Sequence, residues 1–120
     1  AYVRSSAKAH GRQNQIEGRV TAGQTAVVIE DLVSTGGSAL DAVEAVREAG
    51  ATVLAVLAIF TYELDAAAER FAAADVPLRT LTQYSTLLDA AEARGELTPE
   101  ALQMLRDWRH DPEGWSAARV

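Results

Sequence analysis

Apolar and polar positions alternate along this chain in two distinct rhythms. Thr25 to Ile29 is a short β-branched run, and Val27, Val28 and Ile29 are expected to be a strand buried on both faces, ending at Glu30-Asp31. Leu40, Val43 and Val46 then recur at helical spacing from about Gly37 to Ala49, with Asp41, Glu44, Arg47 and Glu48 on the other sides and Gly50 as the stop. Thr52 to Phe60 is continuously apolar and rich in β-branched residues, as a central parallel strand is. An alanine-rich helix from Glu63 to Ala74 follows. Val76-Pro77-Leu78 leads into a short strand through Leu81, and Tyr84 to Arg94 is helical until Gly95. Thr98-Pro99-Glu100 starts a last helix, with Thr98 as N-cap, proline in the first turn and Asp111-Pro112 at its end. Leu102, Met104, Leu105 and Trp108 supply its apolar side.

Strand and helix in strict alternation imply right-handed βαβ units. The expected fold class is therefore α/β, an open, mostly parallel sheet with helices on both faces. The opening is different. Ala1 to Arg4 reads as the end of a strand, Ser5 to Glu17 as a long mobile loop, and Gly18 to Val20 as a further short strand. A chain that starts on such a strand end is expected to be a fragment, one domain over 1–120 with the loop at 5–17 and a C-terminal helix and tail at 98–120.

Composition narrows the function classes. With 120 residues, 48% hydrophobic and 23% charged, the chain can bury one modest core. It has no cysteine, so disulfides and thiolate metal sites are excluded. A net charge of -6 argues against nucleic acid as partner, and no long apolar span or leader speaks for a membrane, so a cytoplasmic protein is expected. The charge is uneven. Arg4, Lys8, Arg12 and Arg19, with His10, face only Glu17 in the opening segment, and Lys8 is the only lysine of the chain. The plainer reading of these residues is a solvated basic tail.

The chemistry concentrates at Glu30-Asp31-Leu32-Val33-Ser34-Thr35-Gly36-Gly37-Ser38. Carboxylates at the carboxyl end of a parallel strand lie where open α/β sheets bind ligands. Gly36 and Gly37 allow close backbone approach, and the helix that follows offers unpaired N–H groups and the positive end of its dipole to an anion. Neither G-x-x-x-x-G-K-[ST] nor G-x-G-x-x-G is present, which excludes the common nucleotide loops. The plainer alternative is an ordinary strand-loop-helix junction with Ser38 as N-cap.

This stretch resembles the phosphoribosyl-diphosphate (PRPP) signature of the type I phosphoribosyltransferases. The resemblance implies that Glu30 and Asp31 take the ribose hydroxyls and that Leu32 to Ser38 cradle the 5′-phosphate. Tyr2-Val3-Arg4, Ala7 to Gly11 and Asn14 to Gly18 further resemble the catalytic loop of the orotate phosphoribosyltransferases, as Ala58 to Tyr62 resembles their central strand end. For that family the resemblance implies transfer of a phosphoribosyl group from PRPP to orotate, with Arg4, Lys8 and His10 on the diphosphate, Asp31 at the reacting ribose, Ser34 on orotate, and Mg²⁺ entering with PRPP. It also implies a homodimer whose loop reaches the neighbouring site. Two departures stand out: Ser5 replaces a lysine many members carry, and Thr61-Tyr62 stands where some members place an arginine. A phosphoribosyltransferase for another base and a non-catalytic PRPP-binding regulator or subunit are the alternatives.

Overall fold

The computed structural model describes residues 1–4 and 15–119. Two strands open the chain, β1 (Tyr2–Val3) and β2 (Ile16–Glu17), paired antiparallel with Val3 opposite Ile16 and joined further by Arg4 N–H to the Gln15 carbonyl at 2.8 Å. The loop expected over 5–17 therefore already ends in a strand at Ile16, whereas Gly18 to Val20 forms none. Residues 5–14 lie outside the described residues.

The main sheet has three parallel strands in the order β3 (Thr25–Val33), β4 (Thr52–Thr61) and β5 (Leu78–Gln83). Helix α1 (Gly37–Glu48) connects the first pair and α2 (Asp65–Ala73) the second. Because both crossovers step in the same direction across the sheet, right-handed connections place α1 and α2 on the same face. There Val43 and Val46 of α1 and Ala67 and Phe71 of α2 close over Val33, Val53 and Val56, the last with no exposed surface. Arg47 of α1 ties the pair together, donating to the carbonyls of Ala74 (2.6 Å) and Asp75 (3.2 Å) just past the end of α2.

Helices are expected on both faces of the sheet, and α1 and α2 cover one, because both crossovers step the same way; the expectation of a parallel α/β sheet flanked by helices holds. Burial of Val27 to Ile29 on both faces does not. In β3 exposure alternates, and Val27 and Ile29 share an open face with Leu54, Leu57, Ile59 and Leu81, of which Ile29 is 71% and Leu81 85% exposed. An apolar run dense enough for a strand covered twice here belongs to one covered once. The pairing passes from Ala26–Val53 to Val27–Ala55, so Leu54 is an extra residue in β4 that twists the strand locally.

At the carboxyl end of the sheet α3 (Tyr84–Ala93) and α4 (Pro99–His110) build a second core. Tyr84, Leu88 and Leu102 are buried there against Phe60, Tyr62 and Trp108, with ring centroids 5.2 to 5.9 Å apart. Tyr84 donates its hydroxyl to the Leu105 carbonyl at 2.9 Å, and burial raises its pKa. Thr98 caps α4 as expected, accepting from Ala101 N–H at 3.1 Å. Met104, expected on the packed side, is exposed instead. After Asp111 the chain forms a further short helix, α5 (Pro112–Ala117), which Asp111 caps through Gly114 N–H. Among the described residues no helix is long and apolar enough to cross a membrane.

Candidate active site

Strand β3 continues four residues beyond Ile29, so Glu30 and Asp31 lie inside it and not past its end. Glu30 stands opposite Ala58 of β4 and is half-buried, while Asp31 is exposed. Their carboxylates bond locally: Glu30 Oε1 accepts from Asp31 N–H (3.1 Å) and Asp31 Oδ1 from Leu32 N–H (2.7 Å). Desolvation raises the pKa of Glu30; the backbone bond from Asp31 opposes this, while the neighbouring Asp31 carboxyl adds to it. The pair is thus a site of concentrated acceptors ready for hydroxyl donors, with its more enclosed member reluctant to ionise.

Val33 then turns into the core, and Ser34 and Thr35 emerge into solvent. Gly36, at φ 88°, is the N-cap of α1 in the left-handed region; no side chain caps the helix. This corrects the alternative in which Ser38 is the N-cap. The first helical bond runs from Leu40 N–H to the Gly36 carbonyl (3.0 Å), so the preceding N–H groups of the first turn have no intrahelical partner and no side-chain cap, the condition under which helix starts can take an anion. Gly36 is needed twice over. Besides its φ, a Cβ there would lie 2.9 Å from Cε2 of the buried Phe71 in α2.

A groove of ≈ 440 Å³ along the free side of β3 brings Arg4, Glu30 and Ser38 into one lining, although they are far apart in sequence. Arg4 is held in that groove by an ion pair with Glu17 across the β1–β2 ribbon. Outside this lining are Asp31, within β3, Ser34, Thr35 and Gly36 on the turn that follows, and Gly37 at the start of α1. Lys8 and His10 lie outside the described residues. No cluster of three or more carboxylate or imidazole groups with metal-ligand geometry occurs among the described residues.

Sequence reasoning missed what surrounds this turn. Arg70 of α2 donates from Nη1 to the Thr35 carbonyl at 3.4 Å, and the same nitrogen is 3.7 Å from where a Cβ of Gly37 would be. No spacing rule links positions so distant; only the lean of helical side chains toward the N-terminus hints that a residue late in α2 reaches back to the strand ends. Glu63 is the other. At φ 56° it breaks the expected helix start, so α2 begins at Asp65, and its Oε1 accepts from Ser85 N–H (2.7 Å) at the start of α3 while Oε2 pairs with Arg109 of α4 (3.7 Å). Tyr62 N–H donates to the Val33 carbonyl (3.1 Å), which brings the loop after β4 beside the turn into α1.

No family model matches the chain. An orotate phosphoribosyltransferase of Lactococcus lactis subsp. cremoris is 54% identical over 117 residues, covering 98% of this chain and 56% of the relative. That of Bacillus cytotoxicus is 52% identical over 119 residues, with 98% and 57% covered. The chain spans about half the length of the curated relatives it matches. Among solved structures, a Mycobacterium tuberculosis orotate phosphoribosyltransferase in complex with PRPP superposes with a TM-score of 0.57 at 35% identity, over 69% of this chain and 46% of that one. Leishmania donovani UMP synthase gives a TM-score of 0.66 over 83% of this chain and 22% of that one, and at 24% identity the likeness is one of fold.

Proposed function

We propose, since the chain belongs to the orotate phosphoribosyltransferase family, that it carries the ribose 5-phosphate half of a site that converts orotate and PRPP to orotidine 5′-monophosphate and diphosphate in pyrimidine synthesis. The observation that carries this reading is the β3–α1 turn. Two adjacent carboxylates precede an uncapped helix start whose left-handed glycine is packed from behind, so hydroxyl acceptors and phosphate donors occur in one continuous stretch. Relatives at this level of identity bear the name of that enzyme, and a solved relative holds PRPP.

In the reaction the bond from ribose C1 to the diphosphate oxygen breaks and one from C1 to orotate N1 forms, with release of the N1 proton. Positive charge grows on the ribose ring and negative charge on the leaving group. Glu30 and Asp31 accept hydrogen bonds from the ribose hydroxyls and fix the ring beneath its developing charge. The backbone N–H groups and hydroxyls from Ser34 to Ser38 hold the 5′-phosphate, and Ser34 also faces orotate. Arg4, Lys8 and His10 neutralise the diphosphate as it departs, His10 with a proton to give. Delivered only when substrate is present, Lys8 and His10 would protect the activated sugar from water. Mg²⁺, entering with PRPP, would supply charge neutralisation on the diphosphate, held mainly by diphosphate and ribose oxygens and water and not directly by side chains of this chain. The enzyme acts in the cytoplasm as a homodimer, the loop of one protomer entering its partner's site.

Loss of orotate absorbance on mixing the intact protein with PRPP and Mg²⁺, beside a panel of other bases, tests the reading. Turnover with orotate is expected. Turnover with a different base alone would keep the reaction and change the substrate, and binding of PRPP without turnover of any base would leave a regulator. Replacing Asp31 by Asn or Lys8 by Ala is expected to cut turnover by more than about tenfold each, the scale of losing one group that meets transition-state charge.

A further inference from the structure

We propose that Arg70 is a positioning residue of the phosphate-binding turn, fixing the Thr35 carbonyl and adding positive charge beside the ribose 5-phosphate group; this rests on the PRPP reading above. The turn itself is short of cations. Ser34 to Ser38 contains no basic residue, and Glu30 and Asp31 stand three to four residues before it, so an arriving phosphate approaches two carboxylates with only neutral backbone N–H groups and hydroxyls in the turn to draw it in. A cation from another element offsets that repulsion. Arg70 is placed for it: its Nη1 donates to Thr35 O at 3.4 Å and lies beside Gly37, the first residue of α1, while the residue as a whole is exposed.

The placement is built into the packing. Phe71, the next residue, is buried with its ring against Gly36, so α2 cannot shift without disturbing the turn. Arg47 fastens the far end of α2 to α1. Helical side chains lean toward the N-terminus of their helix, which sends Arg70 back toward the carboxyl ends of the strands. Arginine also suits the task better than lysine, since one N–H of its planar fork can hold the carbonyl while others remain for an anion.

The test compares Arg70→Gln, Arg70→Lys and Asp31→Asn in the intact protein, by calorimetric titration with ribose 5-phosphate and by steady-state kinetics with PRPP. For R70Q we expect KM for PRPP and the ribose 5-phosphate dissociation constant to rise about tenfold with kcat within about twofold, the pattern of a group acting on binding. R70K recovers much of the loss, and the difference between wild type and R70Q shrinks in about 0.5 M salt, as an exposed charge demands. Unchanged affinity in R70Q while D31N weakens binding would overturn the role of Arg70 and leave the PRPP reading intact. A loss that follows a fall in melting temperature and is not recovered in R70K would overturn it equally, as mere packing. If D31N also binds normally, the PRPP reading falls and Arg70 with it.

Discussion

At the scale of single residues, Gly36 and Glu30 show how the site is bought against stability. Gly36→Ala would force an L residue to φ 88° and press its Cβ onto Phe71. The left-handed conformation alone costs about 1–2 kcal/mol for a residue with a Cβ. We expect a clear fall in melting temperature, of which Phe71→Leu in the same chain returns the steric part and not the conformational part. Glu30 runs the other way. Its pKa is raised, so the fold favours its protonated form, and ionisation costs stability as pH rises through the folded pKa. Glu30→Gln is therefore expected to raise the melting temperature at neutral pH, with the gain gone below the ordinary glutamate value of 4.5. Thermal scans of both proteins across that range check it. Ribose 5-phosphate affinity should show the converse, weaker in the glutamine protein at neutral pH, since the amide is a poorer acceptor than the ionised carboxylate.

At the scale of elements, legibility depends on whether a local signal is also the deciding one. Thr98-Pro99 is legible because a cap and a first-turn proline act within a few residues, and Thr98→Ala should cost about 1 kcal/mol in a denaturant titration. The strands β3 and β4 and helix α1 are legible from β-branched runs and helical spacing. The start of α2 is not, because Glu63 takes a left-handed φ to reach Ser85 and Arg109, partners more than twenty residues away that no window around Glu63 contains. Met104 follows helical spacing yet faces outward, since α4 packs a narrow stripe through Leu102, Leu105 and Trp108. The acidic pair and glycines of the site are legible as residue types in order; Arg70 is not, because a contact between a turn and the middle of a later helix exists only once α2 has docked.

For the whole molecule, strand order governs what is covered. Two crossovers in one direction leave the second face of the sheet open, and an unbroken apolar sequence is the same whether one face or two will be buried, so the exposed face was not foreseeable from hydropathy. A contiguous apolar surface of this kind is expected to take up the dye ANS, and Ile29→Lys with Leu81→Lys should lower that fluorescence without changing the far-ultraviolet circular dichroism. The link from Arg47 to the end of α2 carries a different consequence, in time rather than in space. Because α1, the turn before it and α2 are fastened at both ends, at Gly36 by Phe71 and at Ala74 by Arg47, neither helix can open alone. In native-state hydrogen exchange their amides should protect and release together as one cooperative unit, and Arg47→Ala should split that unit in two, letting α2 exchange while α1 stays closed.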